Sequence, residues 1–407
     1  MPSRYDAAVD TRWSIERARA LDDEDELAGV RPRFLRPEGL VYLDGNSLGM
    51  LAAGVPEATR RVVEDEWGRA LVSGWTDCGW MEAPERLGDR IAPIVGAGPG
   101  QVLVADTTSV ALGKLVGAAL AARPDRPVVL TSADNFPSDL YAAAGAARLH
   151  GAELRVVDRS ELPAALDEEV AVCCLTQVDF RTGELHDLPA LTAAAHEAGA
   201  LALFDLCHSA GALPVGLDEH GVDLAVGCTY KYLNGGPGSP SFLYVRAGLQ
   251  DELENPLPGW LGHELPFDFD RRWRPARGIR RFLTSTPPIL ALTALDAALD
   301  AFEGVSIDAV RAKSERLGQL FIEVIEDHGP APLTVASPRE AARRGSQVSL
   351  EHPRAGEVVA AAADRGVVGD FRSPGLCRFG FAPLYLSYAE VFQAAELVSA
   401  AAASLPD

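Results

Sequence analysis

The most chemically suggestive arrangement in this sequence is a lysine that ends an apolar run and opens into glycines: Thr229-Tyr230-Lys231-Tyr232-Leu233-Asn234-Gly235-Gly236-Pro237-Gly238. An amine must lose a proton before it can form an imine, and partial desolvation favours that loss. The glycines leave room for a bulky planar ligand against the backbone. Upstream, Asp205 closes a second hydrophobic run in Phe204-Asp205-Leu206-Cys207-His208. The carboxyl ends of parallel strands line a common crevice, so Asp205 and Lys231 can converge there. Asp106-Thr107-Thr108-Ser109 offers hydroxyls and free helix amides suited to a phosphate. Asn135-Phe136-Pro137-Ser138-Asp139 puts an aromatic ring at the next strand's end, where it can stack on a flat ligand.

Each feature has an ordinary structural explanation on its own: a solvated lysine, a turn-forming Asp, capping hydroxyls, a core Phe. Together they run in the order phosphate, stacker, carboxylate, lysine, which is the equipment of a pyridoxal 5'-phosphate (PLP) enzyme. The lysine carries the aldehyde, and the carboxylate keeps the pyridine nitrogen protonated so that the ring remains an electron sink.

The elements that must position these residues read as α/β. Apolar runs of strand length at 102–104, 128–130, 154–157, 170–175, 201–204, 222–226 and 242–245 alternate with Ala-rich helical stretches at 110–122, 138–149 and 188–197. Consecutive rather than alternating apolar positions indicate strands covered on both faces, as in a mostly parallel sheet. Residues 52–71 carry a helical period, and further helices are predicted over 289–302 and 307–326. After the Gly329-Pro330 turn the pattern becomes a smaller α+β unit. It has strands at 333–335, 347–350 and near Arg378, and helices over 356–365 and from Tyr388. The charged first fifty residues are expected to form helices and an extended arm rather than core. The resulting division is 1–50 as arm and helices contributing to the small domain, 51–303 as the large PLP-binding domain, and 304–407 as the small C-terminal domain.

Composition narrows the partners. The formal net charge is -21, from 58 acidic and 37 basic residues, and such a surface repels phosphate backbones and anionic headgroups. Neither nucleic acid nor membrane is an expected partner, and an anionic substrate must find a locally placed cation. The six cysteines form no C-x-x-C pair and lie mostly in apolar runs, as buried thiols of a reducing compartment do. No metal site is expected. Met1-Pro2-Ser3-Arg4 leads into charges rather than an apolar segment, so the expected location is cytoplasmic.

The motifs resemble those of PLP-dependent fold type I enzymes of the aminotransferase class V group, and within it the kynureninases. The resemblance extends from Tyr42-Leu43-Asp44-Gly45-Asn46-Ser47-Leu48-Gly49 to Ala382-Pro383-Leu384-Tyr385. It is densest at Asp205-Leu206-Cys207-His208-Ser209-Ala210-Gly211, Tyr230-Lys231-Tyr232-Leu233-Asn234, Gly259-Trp260-Leu261-Gly262-His263-Glu264 and Thr286-Pro287-Pro288-Ile289-Leu290. It implies a mostly parallel seven-stranded sheet in a large domain beside a smaller α+β domain. It also implies hydrolysis of L-kynurenine, or its 3-hydroxy derivative, to anthranilate, or 3-hydroxyanthranilate, and L-alanine. Lys231 resembles the Schiff-base lysine, Asp205 the pyridinium partner and Tyr230 a catalytic proton donor. Thr107, Thr108 and Tyr230 resemble phosphate ligands, with Trp260 and Thr286 reaching the phosphate from a partner subunit, which implies a homodimer with shared sites. Phe136 resembles the stacking ring, and Asp139, Thr176 and His208 resemble residues that fix it and its substituents. Arg378 resembles the fork for the substrate's α-carboxylate, with Ser47, Trp80 and His208 also on the substrate side. Thr286 stands where vertebrate members have Asn, and the loop from Trp75 to Trp80 resembles bacterial members; both border the aryl pocket.

Three rival readings leave distinguishable marks. A cysteine desulfurase or related class V lyase needs a reactive thiol on a mobile loop, and none of Cys78, Cys207 and Cys377 stands convincingly in one. A dinucleotide-binding protein wants G-x-G-x-x-G after its first strand, where this chain has Ala105-Asp106-Thr107-Thr108-Ser109. A catalytically silent relative acting by interaction has no need of Lys231 with a full set of cofactor partners.

Overall fold

A computed structural model describes residues 13–405; the reading of Met1 to Arg4 lies outside them. The N-terminal part contributes α1 (Ile15–Asp23), β1 (Val41–Tyr42), α2 (Val55–Arg61), α3 (Gly74–Asp77) and α4 (Ala83–Val95). The central alternation follows as β2 (Val102–Val104), α5 (Thr108–Ala122), β3 (Val128–Ser132), α6 (Pro137–Leu149), β4 (Glu153–Val157), α7 (Leu162–Ala165), β5 (Val170–Thr176), α8 (Leu188–Glu197), β6 (Leu201–Asp205), β7 (Leu224–Cys228) and β8 (Ser241–Val245). The chain ends with α9 (Ile289–Leu299), α10 (Ile307–His328), β9 (Thr334–Val335), β10 (Gln347–Glu351), α11 (Ala355–Ala363), β11 (Val367–Val368), β12 (Asp370–Arg372), β13 (Leu376–Gly380) and α12 (Tyr388–Ala403).

The large sheet has seven strands in the order β2-β8-β7-β6-β5-β3-β4. Only β8 runs against its neighbours, antiparallel to both β2 and β7; the remaining pairings are parallel. Strands β2, β3, β5, β6, β7 and β8 are buried along their whole length, which is why their sequences read as unbroken apolar runs. Two apolar layers enclose the sheet. One gathers Leu87, Ile91, Phe204, Phe242 and Leu295, the other Leu103, Leu112, Leu115, Val129 and Phe282. The second sheet is antiparallel in the order β12-β13-β10-β9 and shares a core with α10 and α12.

Two expectations are corrected. The first fifty residues are not merely an arm: Ala18, Leu27, Val30, Phe34 and Leu43 are buried in the core of the second sheet. Strand β1 pairs with β11, and Gly380 N donates to the Leu43 carbonyl at 2.6 Å, which stitches this segment to β13. The helix expected over 52–71 gives way after α2 to a π-helical stretch, Val62–Ala70. The wider turn brings Gly68 against the Val63 carbonyl, and Leu71 follows with φ 53°, left-handed for a branched residue.

Candidate active site

At the carboxyl ends of the parallel strands lies a cavity of about 330 Å³, into which Thr107, Thr108, Phe136, Asp139, Thr176, Asp205, His208, Tyr230 and Lys231 project. Each arrives at a strand end: Thr107 caps α5 after β2, Phe136 precedes α6 after β3, Thr176 ends β5, Asp205 ends β6, and Tyr230 and Lys231 follow β7. Ser109 and Gly238, members of the phosphate and glycine-rich motifs read from sequence, also line it, as do Ser138, Phe180, Cys207 and Ser239, which were not foreseen as site residues. Gly238 and Ser239 are there because β8 runs backwards, so that its start, not its end, meets the crevice. Local sequence carries no sign of that reversal.

Lys231 Nζ stands 3.0 Å from His208 Nε2. Burial, then the Lys231 and Arg378 charges, hold His208 well below the ordinary imidazole range, so its ring is neutral and can accept from the amine. Asp205 is buried, and its Oδ1 accepts from Cys207 N at 2.8 Å. Burial and the adjacent Asp205 carboxylate drive the Asp139 carboxyl well above its usual range, as expected when two carboxyls share a dry site with one proton between them. Burial, together with Cys228 and Cys207, likewise raises the Tyr230 phenol, which therefore keeps its proton at neutral pH. Phe136 meets Phe180 edge to face with centroids 5.0 Å apart and leaves 41% of its surface exposed for stacking.

Arg378 borders this cavity rather than lining it. It is 1% exposed on β13, and its Nη1 donates to the carbonyl of Phe180, itself a lining residue, at 2.7 Å. Its other edge is held by Asp370, with Nε to Oδ1 at 2.8 Å and Nη2 to Oδ2 at 2.5 Å. Ser47 Oγ accepts from Nη2 at 2.9 Å and donates to Asp370 Oδ2 at 2.8 Å. Asp370 was not anticipated from sequence. The remaining expected residues lie elsewhere in this chain. Trp80 donates to Glu66 at 2.8 Å and packs on Trp75 along a separate groove. Trp260 packs on Phe267, and Thr286 is exposed.

The residues fit PLP. The N-terminus of α5 with two threonines, an aromatic face, a buried carboxylate and a lysine surround one cavity, and Asp139 Oδ2 and His208 Nδ1 are buried there without hydrogen-bond partners. A desulfurase nucleophile is not in place: five cysteines are buried, and burial and nearby Glu66 and Asp77 raise the thiol of the sixth, Cys78.

Comparison with known proteins agrees. The family described as Kynureninase C-terminal domain matches residues 310–398. Kynureninase of Pseudomonas fluorescens is 47% identical over 387 residues, 93% of each chain. Kynureninase of Burkholderia pseudomallei (strain 1106a) is 46% identical over 389 residues, 94% of each. Among solved structures, the apo cysteine desulfurase of Thermococcus onnurineus superposes with a TM-score of 0.77 at 19% identity, over 93% of this chain and 98% of that one. A lysine-to-alanine mutant of C-DES with glycine covalently linked to its PLP cofactor gives 0.76 at 15% identity, over 90% and 98%. At such identities the likeness shows a shared fold, that of PLP-dependent class V enzymes.

Proposed function

We propose, from the premise that this chain belongs to the kynureninase family, how its own residues hydrolyse L-kynurenine to anthranilate and L-alanine. The protein is a PLP-dependent hydrolase of a carbon-carbon bond in a ketonic substrate. PLP, when bound, supplies the electron sink that makes the substrate's α-proton labile. Lys231 carries the cofactor, Asp205 holds its ring nitrogen, Thr107, Thr108 and Tyr230 hold its phosphate, and Phe136 stacks on its ring. Asp139, Thr176 and His208 fix the ring and its substituents.

Arg378 and Ser47 receive the substrate's α-carboxylate, with His208 on the side of the aryl ketone; Trp80, held by Glu66 in a separate groove of this chain, has no part in that contact. Lys231 Nζ, freed when the substrate's own amine takes its place, takes the α-proton; its neighbour His208, kept neutral, accepts a hydrogen bond and adds no competing charge. Water adds to the γ-carbonyl, the bond to the β-carbon breaks as that hydrate collapses, and the aryl carboxylate leaves. The β-carbon of the alanyl fragment then needs a proton, and Tyr230 is suited to give it because its phenol remains protonated; Lys231 returns to the α-carbon the proton it took, and Tyr230 regains its own from the proton left by the added water. One observation carries this reading: Lys231 and His208 in contact inside a cavity that also presents Asp205 and the α5 threonines. Lys231→Ala is expected to abolish both the visible absorbance of the lysine-linked cofactor and turnover; a variant retaining both overturns the assignment.

The active form is a homodimer with shared sites, its second copy bringing Trp260 and Thr286 to the phosphate. Trp67, Leu71, Val72, Phe267 and Phe269 are exposed apolar side chains of the kind a partner covers. The division into 51–303 and 304–407 follows the two sheets. A reducing cytoplasm suits six unpaired cysteines.

A further inference from the structure

Lys114 lies in the middle of α5 with its side chain 0% exposed, and no step above uses it. A buried ammonium is costly unless paired, and this one reaches two partners: Asp106 Oδ2 at 2.5 Å and the Phe282 carbonyl at 3.0 Å. Asp106 is itself unusual, with φ at 52°. Apart from glycine, that left-handed region is visited mainly by Asn and Asp, and it holds only where surroundings fix it. The turn comes directly before Thr107 and Thr108, and the Asp106 carbonyl accepts from Ser241 N at 3.1 Å. It therefore swings the chain out of β2 and aims the start of α5 at the cavity.

The second partner leads elsewhere. Phe282 belongs to a segment packed so closely on Gly259 and Gly262 that an added Cβ there would meet the Thr284 carbonyl oxygen at 1.8 Å and the Leu283 carbonyl oxygen at 2.4 Å. Trp260 sits between those glycines, and Thr286 lies just beyond the segment. One ammonium thus ties this chain's own phosphate turn to the residues assigned to the other subunit's phosphate.

We propose that Lys114 is a positioning residue of the phosphate cradle. It pins the Asp106 turn, so that the amides and hydroxyls of Thr107 and Thr108 stand ready for the phosphate, and anchors the Phe282 segment to that turn. The inference rests on the PLP reading above. The test strips the full-length holoenzyme of cofactor and titrates it with PLP and with pyridoxal, which lacks the phosphate. Lys114→Met is expected to weaken PLP about tenfold while pyridoxal changes less than about twofold, the size of losing one charge-assisted contact. Equal weakening of both ligands, or of neither, overturns the proposal, because a merely structural lysine would not single out the phosphate. Should Lys114→Met fail to fold, Asp106→Asn keeps a residue tolerant of the turn and removes the pairing charge. It should shift the PLP to pyridoxal ratio in the same direction, and an unchanged ratio overturns the proposal. Wild-type protein that binds neither ligand refutes the cofactor reading instead.

Discussion

At the scale of single residues, the feature that most shapes substrate binding is how little of Arg378 is free. Of its five N–H donors, Nε and one on Nη2 are committed to Asp370, another on Nη2 to Ser47, and one on Nη1 to the Phe180 carbonyl. Asp370 thus balances a buried cation before any substrate arrives and fixes the plane of the fork. An α-carboxylate must approach the terminal edge, in part by exchanging with Ser47. Lysine has the charge but neither the plane nor the second edge. Arg378→Lys is therefore expected to raise KM for L-kynurenine about tenfold or more with a smaller change in kcat, read from steady-state kinetics. Equal losses in both would place Arg378 in the chemistry instead. This residue was legible in sequence only through resemblance, and its partner Asp370 not at all. Strands β11 and β12 have two and three residues, too short to show a period. Lys114 was hidden differently, because one lysine in an Ala-rich helix reads as solvated until α5 is seen to be buried on nearly every side.

At the scale of elements, the excursion between β5 and α8 carries Phe180 to both Phe136 and Arg378. It is closed by the Val178–Leu185 bridge and by His186 N donating to the Gln177 carbonyl at 2.8 Å. His186 is 8% exposed, and burial together with the Arg159 charge depresses its imidazole to about 4. A base with a depressed folded value contributes stability that is whole above its unfolded value, about 6.5, and is lost as pH falls toward 4. Melting temperature is expected to drop through that window, with at most about 3 kcal/mol assignable to this group. In His186→Gln, differential scanning calorimetry should find a shallower slope between pH 6.5 and 4, and an unchanged slope would remove His186 as the cause. The strands framing this excursion were readable because both faces of the large sheet are covered. The reversal of β8 and the π-helical turn were not, since each is decided by packing against distant chain.

At the scale of the whole molecule, the separation of Trp260 and Thr286 from the chain's own cavity makes the proposed dimer testable by complementation. Lys231→Ala and Trp260→Ala chains are each expected to be impaired alone. Mixed dimers recover activity, because one of the two sites then combines an intact lysine with an intact tryptophan. No recovery after verified subunit exchange would mean that Trp260 serves its own chain. The distribution of thiols has a practical side as well. Cys173, Cys174, Cys228 and Cys377 are shut inside the fold, Cys207 is buried on the wall of the active-site cavity, and only Cys78 is half-exposed, in the turn that ends at Trp80. With the cavity filled by its cofactor, a maleimide dye would therefore attach at Cys78 alone, and more readily as rising pH overcomes the raised thiol. The native protein comes ready-made for a fluorescent reporter placed beside its tryptophan loop.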